Sequence, residues 1–412
     1  MMNLNGNMRI SQSLKTKNVL IGVTGGIAAY KTCYLIRYFR KAGHNVKVVI
    51  TKNGLEFITE TTLRTLSGEQ VYSDTFGSTN EWSTEHISIT DWADIFIVAP
   101  ATANIIGKIA NGIADDALST ALLAYNKTLI VCPAMNDKMY FNPAVQRNIE
   151  TLKGQGVIFF EPESGDLACG YKAKGRMAEP EDIYKESLYY LNNTDSLKGK
   201  RILVSAGRTT ELLDPVRYIS NFSSGKTGFR IAEEASYRGA GTVLVTGTTE
   251  QICNSHIRRI DTVSADDMYK AVMKEFKKAD CVIMSAAVAD YAPEKSDSKI
   301  KKSGDSFELK LNKTKDILKE LGRIKRKGQI LIGFALETDN GYKNAIKKMK
   351  EKNLDMIILN ETSSDNPAFG SDFNKITIIT SDKKEQLPAM DKKDIAGYIL
   401  DRVEEMFKHQ SK

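Results

Sequence analysis

Cys169 and His86 are the side chains whose surroundings first suggest chemistry. Cys169 lies in Leu167-Ala-Cys-Gly-Tyr-Lys-Ala-Lys-Gly-Arg-Met177, a stretch rich in glycine and lysine. A thiol beside cations can serve as an acid or a thiolate, and this polar setting argues against a buried, inert cysteine. His86, one of four histidines, precedes Ile87-Ser-Ile-Thr-Asp-Trp92. An imidazole can act as a general base near neutral pH, although a solitary histidine is more often an ordinary surface or core residue. Pro133-Ala-Met-Asn136 ends in a carboxamide able to hold a carboxylate, or simply to make a turn. Gly22-Val-Thr-Gly-Gly-Ile-Ala-Ala-Tyr-Lys31 has glycines that let backbone N–H groups approach a phosphate. Its spacing is not Gly-x-Gly-x-x-Gly, so a dinucleotide is not specified. A phosphomonoester such as that of FMN fits as well as a plain tight turn does. Ala99-Pro-Ala-Thr-Ala-Asn104 offers small and hydroxyl residues that can lie flat against a planar ring, or enter a helix capped by Thr102.

The second half of the chain carries a different set. After Ala206-Gly-Arg-Thr-Thr-Glu211 comes Asp214-Pro-Val-Arg-Tyr-Ile-Ser-Asn-Phe-Ser-Ser-Gly-Lys-Thr-Gly228. Loops this dense in Ser, Gly, Arg and Lys bind phosphates through N–H groups and cations. Its length and polarity exceed those of a default connection. It does not match a Walker A loop, since Ser223-Ser-Gly-Lys-Thr227 resembles only the tail. Ser285-Ala-Ala-Val-Ala-Asp290 places a carboxylate where it can meet a ribose hydroxyl, a base or Mg²⁺, or cap a helix. Lys299-Ile-Lys-Lys302 can reach a triphosphate, although charge runs are usually solvated faces. Lys348 and Lys352, four apart, share one face of a helix over Tyr342–Asn353 whose apolar side includes Ile346 and Met349.

The elements that must position these residues repeat. Asn18-Val-Leu-Ile-Gly-Val-Thr24 is an apolar run ending in Gly25-Gly26, followed by a helical pattern to Gly43 and a strand at Val46–Ile50. Lys200-Arg-Ile-Leu-Val-Ser205 opens the second half in the same way. A helix from about Gly228, ended by Gly239 and Gly241, leads there to a strand at Val243–Thr246. Strand–glycine–helix–strand is the unit of a parallel sheet. Further strands are expected at Ile95–Ala99, Leu129–Cys132, Cys281–Met284, Ile330–Ile332 and Met356–Leu359. Between the halves, Leu191-Asn-Asn-Thr-Asp-Ser-Leu-Lys-Gly199 is polar and turn-rich. Ligands of open parallel sheets bind at the carboxyl ends of the strands, where these motifs stand.

Bulk properties bound the reading. A chain of 412 residues exceeds what one core usually serves, so two domains are expected. The balance of 58 Lys and Arg against 51 Asp and Glu gives +7, a mild excess suited to anionic small molecules. No aromatic–basic ladder appears, so nucleic acid is not expected as a partner. Cys33, Cys132, Cys169, Cys253 and Cys281 are scattered and form no Cys-x-x-Cys pair. That points to reduced thiols in a cytoplasmic protein rather than a disulfide framework. Residues 1–17 have no apolar core of a signal peptide and read as a flexible leader. No segment approaches the ~20 apolar residues of a membrane span.

The order of Gly-Gly-Ile-Ala-Ala-Tyr-Lys, His86, Ala-Pro-Ala-Thr-Ala-Asn, Pro-Ala-Met-Asn and Ala-Cys-Gly…Gly-Arg-Met resembles the phosphopantothenoylcysteine decarboxylases over roughly Lys17 to Tyr190. These belong to the homo-oligomeric flavin-containing cysteine decarboxylases. The resemblance implies an FMN site of Gly25, Gly26, Ile27, Thr51, Ala101, Thr102 and Ala103, and a substrate site of Met135, Asn136 and Arg176. It implies that the substrate's thiol-bearing carbon is oxidised to a thioaldehyde, which lets CO2 leave, and is then reduced again. His86 would be the base of the oxidative half, Asn136 the carboxylate holder and Cys169 the final proton donor. Thr102 stands where the family commonly has Ser, and Ala173 where it commonly has Gly.

Asp-Pro-Val-Arg-Tyr-Ile-Ser-Asn…Ser-Ser-Gly-Lys, Ala-Ala-Val-Ala-Asp-Tyr, Lys-Ile-Lys-Lys and Gly333-Phe-Ala-Leu-Glu-Thr338 resemble phosphopantothenate–cysteine ligase over about Leu197 to Phe407. That resemblance implies activation of a carboxylate by CTP to an acyl-cytidylate, with Mg²⁺ shielding the triphosphate. Met284, Ser285, Ala286, Asp290, Lys299, Lys315, Asp316, Ile317, Leu318, Phe334, Lys348 and Lys352 would line the CTP site, and Asn221 would serve the acyl intermediate. Arg208 and Leu212 replace a common Gly and Pro.

Together the resemblances imply an α/β enzyme of two Rossmann-like domains with mainly parallel sheets. A flavoprotein-type domain over residues 18–190 and a ligase-type domain over 198–412 would flank a linker at 191–197. The expected substrates are 4′-phosphopantothenate, cysteine and CTP, with no nucleic acid or membrane partner. The expected assembly is homo-oligomeric: trimer-based or dodecameric through the first domain, with dimer contacts through the second. A regulatory flavoprotein, or a peptide-cysteine decarboxylase with an idle ligase-like domain, are the alternatives. The intact His86, Asn136 and Cys169 and the full set of ligase motifs argue against them.

Overall fold

Strand β1 (Asn18–Val23) is apolar on both faces, with Val19, Leu20, Ile21 and Val23 fully buried. Such a run belongs in a parallel sheet covered on both sides. β1 pairs in parallel with β2 (Asn45–Ile50) and β4 (Ile95–Ala101). With β3 (Val71–Tyr72), β5 (Thr128–Pro133) and β6 (Ile158–Phe159) they form a six-stranded sheet in the order β3-β2-β1-β4-β5-β6. Val19, Ile21 and Val23 share one apolar layer with Leu35, Ile36 and Phe39 of the Ala29–Lys41 helix. Leu20 enters the opposite layer with Ile105, Leu118 and Leu122. β7 (Glu163–Asp166) and β8 (Lys172–Arg176) form a separate antiparallel hairpin.

The computed structural model describes residues 16–74, 85–166, 170–301, 308–361 and 371–410, with only the backbone of Glu85, His86 and Asp166. The chain divides into two units between Asn192 and Asn193. The Pro180–Asn192 helix continues through Leu191, whose side chain is buried, so the turn-rich segment begins two residues later than the polar run suggests.

In the second unit, β9 (Arg201–Ala206), β12 (Gly241–Thr246), β13 (Arg258–Asp261), β14 (Cys281–Met284), β17 (Ile330–Glu337) and β18 (Met356–Glu361) run parallel. β20 (Ile376–Thr380) and β21 (Lys384–Gln386) add an antiparallel edge, giving the order β13-β12-β9-β14-β17-β18-β20-β21. Three two-stranded ribbons stand apart: β10 (Thr210–Leu212) with β11 (Tyr218–Ser220), β15 (Tyr291–Pro293) with β16 (Leu311–Lys313), and β19 (Phe373–Asn374) with β22 (Met390–Asp391). The helix expected from Gly228 begins at Lys226, so Gly228 lies inside its first turn. A Cβ there would meet Ser285 Oγ at 2.5 Å and Ala206 Cβ at 2.6 Å, so glycine lets this helix press onto the ends of β9 and β14.

Candidate active sites

In the first sheet the strand order reverses between β1 and β4, which opens a crevice beyond their carboxyl ends. Thr24 joins its two sides: Thr24 Oγ1 donates to Pro100 O at 2.8 Å and accepts from Thr102 N at 3.1 Å. Thr102 caps the Ala103–Ala110 helix, accepting from Ile105 N. Thr51 caps the short helix after β2, accepting from Gly54 N. Gly25 packs against the backbone of Asn53, whereas a Cβ at Gly26 would meet nothing within 4 Å, and Ile27 is exposed. The adjoining Ala29–Lys41 helix has neither a side-chain cap nor an acidic residue in its first turn. Its N-terminal N–H groups and dipole therefore favour an anion. Gly25, Gly26, Ile27, Thr51, Ala101, Thr102 and Ala103 thus lie along one strand-end edge.

The loop after β5 carries Met135 and Asn136. Met135 N donates to Gly175 O at 3.0 Å, and Gly175 sits so close that a Cβ would lie 2.2 Å from Met135 O. This contact docks the β7–β8 hairpin onto the loop. Asn136 Nδ2 donates to Tyr171 Oη at 2.9 Å, and Tyr171 Oη donates to Asp137 Oδ1. Asn136 Oδ1 caps the Asp137–Tyr140 turn through Lys138 N. Arg176 pairs with Glu179 at 2.8 Å, and the same carboxylate holds the buried Lys31 at 2.8 Å. Lys31, the last residue of the glycine loop motif, is thereby turned toward Met177 O and Glu179. Glu161 anchors the hairpin from its other side, accepting Tyr140 Oη at 2.6 Å and Lys174 Nζ at 2.9 Å. Burial alone would raise its carboxyl; these bonds outweigh it and hold Glu161 at about 2. His86 lies on the backbone of the Glu85–Trp92 helix, with its side chain outside the described residues. Cys169 also lies outside them, between β7 and β8.

The second sheet reverses between β9 and β14. Ser205, fully buried at the end of β9, ties the two sides as Thr24 does in the first: Ser285 Oγ donates to Ser205 O at 2.7 Å and Ala286 N to Ser205 Oγ at 3.2 Å. Ala287 N donates to Gly207 O, and Ala289 N to Thr209 Oγ1. Asn221 Nδ2 reaches Ala287 O at 3.2 Å, which brings Asn221 to the Ser285–Asp290 loop. Met284 ends β14, and Asp290 O receives Thr314 N at the base of the β15–β16 ribbon. Lys299 is exposed on the arm between those strands.

Asp316 caps the Ile317–Ile324 helix and pairs with Lys352 at 2.7 Å, while Ile317 and Leu318 are buried. Lys348 Nζ donates to Phe334 O at 2.8 Å. Burial, and then neighbouring Lys352, push its ammonium below the ordinary lysine value. Lys348 and Lys352 thus share the face expected of them, each on a named acceptor. Lys315 instead points to Asp266 at 3.0 Å and over the Tyr269 ring. Sequence reasoning missed Ser205, Glu161 and the Asp214–Arg217 pair. Only the last had a local signal, an Asp-Pro-x-Arg turn whose carboxylate can accept N–H groups two and three residues on.

Comparison with known proteins defines the class. Residues 7–191 match the Flavoprotein family, and residues 197–407 match the DNA/pantothenate metabolism flavoprotein C-terminal domain. The molecule is thus an α/β flavoprotein-type domain followed by a second α/β domain of pantothenate metabolism. The coenzyme A biosynthesis bifunctional protein CoaBC of Bacillus subtilis (strain 168) is 45% identical over 395 residues, 95% of this chain and 97% of that one. The chain belongs to this family of coenzyme A biosynthesis bifunctional proteins. A cysteine/cysteine sulfinic acid decarboxylase from an unknown prokaryotic organism is 41% identical over 353 residues, covering 84% of this chain and 98% of that one. The crystal structure of the C-terminal domain of a CoaBC protein covers 52% of this chain and all of that one, at 41% identity and a TM-score of 0.46. Among the described residues, no helix is long and apolar enough to cross a membrane.

Proposed function

We propose that the chain catalyses two consecutive steps of coenzyme A biosynthesis, a CTP-dependent ligation and a flavin-dependent decarboxylation. The carrying observation is that each unit has its own strand-order reversal, with the Thr24–Thr102 contact across one and the Ser205–Ser285 contact across the other, in a chain matched almost end to end by bifunctional relatives.

In the second unit the carboxylate of 4′-phosphopantothenate attacks the α-phosphorus of CTP and pyrophosphate leaves. The amine of cysteine then attacks the acyl carbon and CMP leaves. Ser285, Ala286 and Asp290 face the nucleotide from one loop, Lys299 supplies charge to the triphosphate, and Lys348 and Lys352 add two cations. Asn221 positions the acyl group. Mg²⁺ would shield the charge of the triphosphate.

In the first unit the residues fit FMN: the open space at Gly26 and the uncapped helix suit its phosphate, and the Ala101–Ala103 loop suits its ring. When bound, FMN supplies the two-electron acceptor and donor that the decarboxylation requires. His86 takes the proton in the oxidative half, Asn136 holds the substrate carboxylate, Met135 and Arg176 contact the substrate, and Cys169 returns a proton. Free thiols at Cys33, Cys132, Cys253 and Cys281 accord with a cytoplasmic setting, and the assembly proposed is homo-oligomeric.

The test is to supply phosphopantothenate, cysteine and CTP and follow pyrophosphate and CO2. Both must appear, CO2 only after CTP is added, and preformed phosphopantothenoylcysteine must lose CO2 without CTP. Release of CO2 from free cysteine or cysteine sulfinate without CTP would instead favour the activity named for the second relative.

A further inference from the structure

Asp214 is fully buried, and its carboxylate is where two parts of the ligase site meet. Oδ1 accepts the N–H groups of Val216 and Arg217, both at 2.8 Å. Oδ2 accepts Arg217 Nε at 2.9 Å, Arg217 Nη2 at 2.6 Å and Ile300 N at 3.1 Å. Arg217 Nη2 also donates to Ile300 O at 2.7 Å, and Ser296 N to Leu213 O at 2.9 Å. The guanidinium of Arg217, followed by these backbone donors, holds the carboxyl well below the usual carboxylate range. It is therefore a permanent anion tying a loop to an arm.

The loop closes the β10–β11 hairpin, which ends at Ser220 and leads into Asn221. Ser220 Oγ donates to Thr209 O at 2.7 Å, so this end is fixed to the strand-end loops. The arm is the β15–β16 connection, and the tied residue, Ile300, stands between the exposed Lys299 and Lys301. A single buried carboxylate thus links the hairpin that presents Asn221 to the segment that presents two cations.

We propose that Asp214 is a positioning residue that keeps the Lys299–Lys301 segment ordered for the triphosphate before CTP arrives; this rests on the reading of the site as CTP-using. A segment ordered on folding need not be ordered again on binding. When only a fraction of molecules holds the segment in place, the apparent CTP constant rises by the inverse of that fraction, while turnover at saturating CTP is spared.

The test uses the full-length protein with Asp214→Asn and Arg217→Lys. The second substitution keeps a cation near Asp214 but loses the fork that reaches Ile300 O. Because Arg217 is partly exposed, it keeps the test open if Asp214→Asn does not fold. For pyrophosphate release, the CTP KM is expected to rise about tenfold with kcat within about threefold. Trypsin is expected to cut after Lys299 or Lys301 faster than in the wild type, with saturating CTP restoring protection. Decarboxylation of preformed substrate should be unchanged in both variants. An unchanged CTP KM with reduced kcat, or an arm cut no faster than in the wild type, overturns the role of Asp214. A wild-type protein that releases no pyrophosphate from CTP overturns the reading of the site instead.

Discussion

Replacing Gly175 with alanine should uncouple the two proposed activities. A Cβ at this position would lie 2.2 Å from Met135 O and 3.3 Å from Met135 C. Carbon–oxygen contacts settle at roughly 3.3–3.6 Å, so the hairpin must retreat by about 1 Å. That retreat breaks the 3.0 Å bond from Met135 N to Gly175 O and pulls Tyr171 from Asn136. The lost bond costs about 1 kcal/mol. Holding a side chain at the Gly175 φ of +156° adds about 1–3 kcal/mol. A total of about 2–4 kcal/mol lowers the docked population some 30- to 700-fold at about 1.4 kcal/mol per decade. Wild-type docking has its own reserve, which absorbs part of this, so CO2 release from phosphopantothenoylcysteine should fall at least tenfold. Pyrophosphate release by the same preparation should stay within about twofold, because Gly175 belongs to the first unit. A folded, flavin-coloured variant that released CO2 at the wild-type rate would refute the claim that this docking matters.

Glu161→Gln should lower thermal stability near neutral pH by an equivalent of about 1 kcal/mol, discounted for the exposure of the pair. Because the folded carboxyl is held at about 2, its contribution is present above the unfolded value and is lost as pH falls through the folded one. Melting temperatures between pH 5 and pH 2, about that span, should fall more steeply for wild type than for the variant; parallel curves would contradict this. Ser205→Ala leaves the Ala286 N–H without its partner, so the CTP KM should rise about tenfold with kcat little changed, and an unchanged KM would remove Ser205 from the site. Lys348 is depressed by burial, so CTP use should decline on the alkaline side at a lower pH than an ordinary lysine would impose. Lys348→Arg, which stays charged, should shift that decline upward; a pH profile identical to wild type would clear Lys348 of responsibility for it.

The central strands were legible because both faces are buried. Runs such as Val19–Val23 and Ile202–Val204 need no alternation and hence stand out as continuous apolar stretches. The cap at Thr102 and the shared face of Lys348 and Lys352 were also readable, since both depend on spacings within one turn. The ribbon strands β10, β11, β15 and β16 span three residues each, too few for a period. Gly228 misled because glycine usually marks a helix end, whereas here it serves close packing on Ser285. Leu191 misled for the opposite reason, since its polar neighbours hide a side chain that only the tertiary core explains. The pairings Lys31–Glu179, Asp214–Ile300 and Asn136–Tyr171 join residues far apart in sequence, and no local pattern encodes them.

The two units solve one problem alike. A parallel sheet leaves a crevice where its strand order reverses, but a crevice alone does not fix the loops on its two sides. In the first unit a threonine at the end of the central strand both donates to and accepts from the loop across the reversal. In the second, a serine one residue before the end of the central strand uses its carbonyl and its hydroxyl for the same purpose. Valine would fill the place of Thr24 with similar volume, but it would strand the Thr102 N–H and free the loop from the strand. The short polar side chain at the strand end therefore ties together the loops on the two sides of each crevice. The crevices differ in their surroundings, glycines and an uncapped helix in one and lysines on an arm in the other, and under the proposed function these differences select the phosphate-bearing molecule each receives.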